Sequence, residues 1–75
     1  MTATQATTLA MLETNASNVI RSTRQTLSDS PKSARAVLLR LEGYTTGVAE
    51  ATNVPSENVA PLLRTIEEEQ HKYDW

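Results

Sequence analysis

The chain has 75 residues, seven Lys and Arg against nine Asp and Glu for a formal net charge of −2, and no Cys. That length makes one small domain whose core is thin for its surface, and the missing Cys excludes disulfide staples and thiolate metal sites, in keeping with a reducing cytoplasm. No apolar run nears the roughly 20 residues that span a bilayer, and the Thr-rich start lacks the charged and apolar regions of a signal peptide, so a soluble cytoplasmic protein with no membrane partner is expected.

Residues 4–27 contain no Gly or Pro and carry Leu9, Leu12, Ala16, Val19, Ile20 and Leu27, with Thr23 in the remaining inward slot. Spacings of three and four mark an amphipathic helix. The many Thr residues lower its intrinsic helicity, since β-branched side chains lose rotamer freedom there, so packing must supply the stability. One long helix is the first reading, with a break near Asn15-Ala16-Ser17-Asn18 as the alternative. Asn15-Ala16-Ser17 also matches a glycosylation sequon, which is set aside without a secretion signal. Ser28, Asp29, Ser30 and Pro31 close this element: the residue before a Pro avoids helical conformation, Ser30 suits a cap, and Pro31 suits the first helical position.

A second helix is expected over 31–42, burying Ala34, Val37, Leu38 and Leu41. Gly43 reads as its left-handed terminator, with Thr45 or Thr46 capping a short helix over 45–52 that turns Val48 and Ala49 inward. Asn53 falls where a tight turn needs positive φ, and Val54 plugs the core. Pro55-Ser56 opens a last helix whose Val59, Leu62, Leu63 and Ile66 form one buried face. Pro61 implies a kink or a late start to regular structure there. Glu68 and Lys72 at i, i+4 extend the helix by a turn. Tyr73 and Trp75 are expected to fold back over the core, with an exposed, partner-binding tip as the alternative. The fold class is thus all-α: an N-terminal helix over 1–30, then a three-helix, helix-turn-helix core over 31–75.

Charge is unevenly spread. Arg21, Arg24, Lys32, Arg35 and Arg40 face only Asp29, whereas from residue 41 onward Glu42, Glu50, Glu57, Glu67, Glu68, Glu69 and Asp74 oppose Arg64 and Lys72. The basic middle suits phosphates and the acidic end repels them, although both also suit ordinary solvated faces.

The run Ala34-Arg35-Ala36-Val37-Leu38-Leu39-Arg40-Leu41, the segment Val48-Ala49-Glu50-Ala51-Thr52-Asn53-Val54-Pro55 and the run Leu62-Leu63-Arg64-Thr65-Ile66-Glu67 resemble the DNA-binding half of winged-helix regulators, most of all the IclR and MarR types. About half the chain is covered. Asn53 stands where those proteins usually have Gly, Pro61 where a polar or basic residue is common, and the β-hairpin wing is absent or cut short. The resemblance implies double-stranded DNA as partner, with the last helix in the major groove. Ser56, Asn58 and Arg64 would then meet bases, together with Glu57 and Pro61 on the same outward face, while Lys32, Arg35, Arg40, Thr45 and Thr46 would meet phosphates. A homodimer held through Leu9, Leu12, Ala16, Val19 and Ile20 would place two such helices on neighbouring half-sites.

Glu57 and Asn58 also suit the first turn of any helix, and Arg40 suits a surface pair with Glu42. Uncompensated Glu57, Glu67, Glu68 and Glu69 favour the alternative of a module that binds a partner protein. A purely structural helical bundle is a third reading. Catalysis is not expected: His71 is the only His, no nucleophile accompanies it, and its i, i+4 pairing with Glu67 is too little for a metal site. No cofactor is expected either, since there is no Gly-rich phosphate loop.

Overall fold

A computed structural model describes residues 1–73 as three helices, α1 (Ala3–Thr26), α2 (Pro31–Ala51) and α3 (Ser56–His71), with no strand among the described residues. The placement expected for Trp75 lies outside them.

Helix α1 begins with a capping box. The Thr2 hydroxyl accepts from the Gln5 amide at 3.1 Å, and the Gln5 side chain accepts from the Thr2 amide at 2.9 Å, so two orphan donors are satisfied reciprocally. The helix runs unbroken through Asn15 to Asn18 because Ala16 sits inside the core between Leu12 and Ile20 and packing holds the register. Ser30 does precede α2 and Pro31 does open it, but the Ser30 hydroxyl makes no capping bond.

The expected break at Gly43 does not occur. Helix α2 continues for 21 residues, and the core has three helices in all, not four. Neither Gly43 nor Gly47 takes a positive φ. The reason lies on the opposite face: Leu41, Thr45 and Ala49 are all buried at i, i+4, i+8, and a Gly turn would rotate Ala49 away from the core. Thr45 is therefore no cap. It is fully buried and donates its hydroxyl to the Leu41 carbonyl at 2.8 Å.

The turn into α3 forms as the sequence implies. Asn53 adopts φ 59°, Val54 is buried, and the Val54 amide donates to the Ala49 carbonyl at 3.0 Å. The Gln5 side chain donates to the Asn53 carbonyl at 3.0 Å, which ties the start of α1 to the end of α2. At the far end Arg24 of α1 reaches Glu69 of α3. Helix α1 is thus antiparallel to α2 and parallel to α3.

The molecule measures 41 × 18 × 16 Å. At 1.5 Å per residue α2 is about 31 Å long and α3 about 24 Å, too long to lie across so narrow a body. The helices run lengthwise as an up-down-up bundle, where a helix-turn-helix would set two of them near a right angle. The core has two layers. Ala16, Ile20, Leu38, Leu41 and Ile66 form one, with Val19 and Tyr73 packed against it, so Tyr73 does fold back. Leu12, Ala49, Val54 and Val59 form the other, flanked by Leu9, Val48 and Leu63, and Leu62 touches both. Val37, expected to be buried, is half-exposed.

Candidate functional site

Helices α1 and α3 are both anchored on α2, and the seam between them stays open as a groove of about 570 Å³. Its floor is apolar, made by the core residues Ala16 and Ile20 and by Leu62, which lies at the half-buried edge of the α3 stripe. Glu13, Arg21, Arg24, Thr65 and Glu69 form its walls.

One end of the groove is closed by charge. Glu69 extends the inward stripe of α3, three residues after Ile66, and only 4% of it is exposed. A carboxylate there is stable only if it is paired. Arg24 donates from Nε to Oε2 at 2.8 Å and from Nη2 to Oε1 at 2.6 Å, a bidentate fork, and Lys72 lies 3.1 Å from Oε1. Hydrogen bonding from Arg24 holds the Glu69 carboxyl below the ordinary carboxylate range, with Lys72 helping and burial opposing. The same bond and the Glu69 charge raise the Arg24 guanidinium above its usual value. This cluster was missed in the sequence, where Glu69 reads as part of an acidic run; the one available signal is its place in the Leu62, Ile66, Glu69 stripe.

The residues expected at a DNA interface are not assembled into one face. Ser56, Asn58 and Arg64 are exposed on α3, with Glu57, Pro61, Glu67 and Glu68 exposed on the same helix. At 100° per residue, Glu57, Arg64 and Glu68 share its outward line, so Arg64 stands between two acids. Lys32, Arg35 and Arg40 are exposed on α2, but Lys32 lies about 21 Å along the axis from Thr46. Thr45, being buried, has no surface to offer a phosphate. Thr46 is half-buried and, with Ser56, lines a small apolar pocket of about 240 Å³ near the α2–α3 turn.

The residues expected to hold a dimer are turned inward as well. Leu12, Ala16 and Ile20 belong to the core of the single chain, and Leu9 and Val19 pack beside it. They are used within the monomer because α2 and α3 cover the same stripe that a second α1 would need. Among the described residues no cluster of His, Cys, Asp and Glu could hold a metal ion, and no helix is long and apolar enough to cross a membrane.

No family model matches the chain, and neither the curated proteins nor the solved structures contain a significant match to it.

Proposed function

We propose that the chain is a small interaction module that binds another protein, seating an apolar helical segment of its partner in the groove between α1 and α3. The observation that carries this reading is the groove itself: an apolar floor of Ala16, Ile20 and Leu62 between polar walls on the α1–α3 seam. Arg21 on the α1 wall, the cation lining the groove that is not paired with Glu69, favours a partner helix with an acidic flank. Of the floor, only Leu62 keeps a substantial part of its side chain in solvent, since Ala16 and Ile20 are already buried, so the apolar gain from a bound helix is small and the groove's walls must supply much of the recognition.

The rival reading, in which α3 contacts double-stranded DNA, has weaker support. Glu57, Glu67 and Glu68 surround Arg64 on the exposed surface of α3, and acids beside phosphates are repulsive. Lys32, Arg35 and Arg40 are spread along α2, and Arg35 lines a pocket with Gln70 and His71, at the end of α3 far from Ser56 and Asn58.

Two measurements on the intact chain decide between them. The protein is expected to show no salt-dependent retention on duplex DNA at low ionic strength. A partner captured by the wild-type chain is expected to be lost when Arg21→Glu and Thr65→Arg are introduced together on the exposed walls, with helicity unchanged. Salt-dependent DNA retention that Arg64→Glu abolishes overturns the proposal, as does capture that the wall variant leaves intact.

A further inference from the structure

The face of α2 turned away from the core carries Leu39, Arg40, Gly43, Gly47 and Glu50, with Tyr44 on its flank, all exposed. Leu39 is 52% exposed and Tyr44 57% exposed, so each leaves about half of a large apolar side chain in solvent in the single chain. Between them the two glycines leave the backbone bare. A Cβ added at either would meet nothing within 4 Å, and neither has a positive φ, so the fold of the single chain has no need of glycine there. Each weakens the helix relative to Ala. What bare backbone allows is close approach of another helix.

The charges on this face are arranged about the glycines. Arg40 lies three residues before Gly43 and Glu50 three residues after Gly47. In an isologous antiparallel contact centred between the glycines, Gly43 meets Gly47 of the second copy, and Arg40 of each copy comes level with Glu50 of the other. A parallel contact would set like charges beside one another. The face is therefore complementary to itself in one orientation, and the missing glycine side chains let Arg40 reach across.

We propose that the outer face of α2 is a self-association surface on which a second copy packs its own α2 antiparallel, centred between Gly43 and Gly47 with Arg40 and Glu50 paired across the interface. This surface lies on a different helix from the groove and stands independently of the partner proposed for it. It also differs from the α1 stripe, which is buried in the monomer.

Sedimentation of the whole chain from micromolar to millimolar concentration tests the proposal. A concentration-dependent dimer is expected. Arg40→Glu should weaken it about tenfold or more, because like charges then face each other. Adding Glu50→Arg to Arg40→Glu should restore the affinity to within about threefold, since the pairing is regained with its signs exchanged. Gly47→Leu should abolish the dimer while the helical circular-dichroism signal is kept, because the added side chain points into open space in the monomer. A chain that stays monomeric at millimolar concentration, including one whose α2 face is covered only by a different protein, overturns the proposal. So does a dimer whose dissociation constant ignores Arg40→Glu and Gly47→Leu.

Discussion

Glu69 carries the largest electrostatic commitment in the described part of the chain. Its carboxyl is held low in the folded state by Arg24, so its contribution is fully present above the unfolded carboxylate value of about 4.3 and is lost as pH falls through the folded value. Glu69→Gln should therefore destabilise the protein at neutral pH. The gap between variant and wild type in urea midpoints should close as the pH is lowered below about 4. A gap independent of pH would remove the charge from the explanation. Asn53 is the other residue with a specific task. Its φ of 59° suits Asn or Gly, so Asn53→Ala should cost about 1 kcal/mol in chemical denaturation while Asn53→Gly is near neutral.

At the scale of elements, two residues work against their helices. Pro61 lies in the second turn of α3, where it removes a hydrogen bond to the Glu57 carbonyl and crowds it. Pro61→Ala should raise stability by about 1–3 kcal/mol, as read by thermal unfolding. Gly43 is the more instructive case. The boundaries near residues 30 and 53 were legible in the sequence because Pro31, Asn53 and Pro55 restrict the backbone directly. Gly43 only permits a turn, and whether the turn forms depends on Leu41, Thr45 and Ala49 sharing a face against α1 and α3, information that is not local. The apolar stripes of all three helices were likewise legible, whereas the Arg24–Glu69 fork was not, since it joins residues 45 positions apart. The groove was hidden for the same reason: it arises from how α1 and α3 sit on α2.

For the whole molecule, an unbroken α2 sets both the shape and the surface. It draws the body out to 41 Å, buries Thr45, separates Lys32 from the α3 N-terminus, and leaves Gly43 and Gly47 on an outer face. A helix-turn-helix over the same residues would expose Thr45 and gather the cations beside α3. The surface that results offers an apolar trough on one side and a self-complementary helix face on another, both suited to protein partners.

Amide hydrogen exchange at Thr46, Gly47 and Val48 tests the continuity of α2 most directly. In a continuous α2 these amides donate to Glu42, Gly43 and Tyr44 within the helix, and they should be protected to nearly the same degree as those of Leu41 and Glu42. If a helix ended at Gly43, they would fall in the first turn of a new helix, where amides have no helical partner. Rapid exchange at all three, with turn-like chemical shifts at Gly43 and Tyr44, would contradict the account.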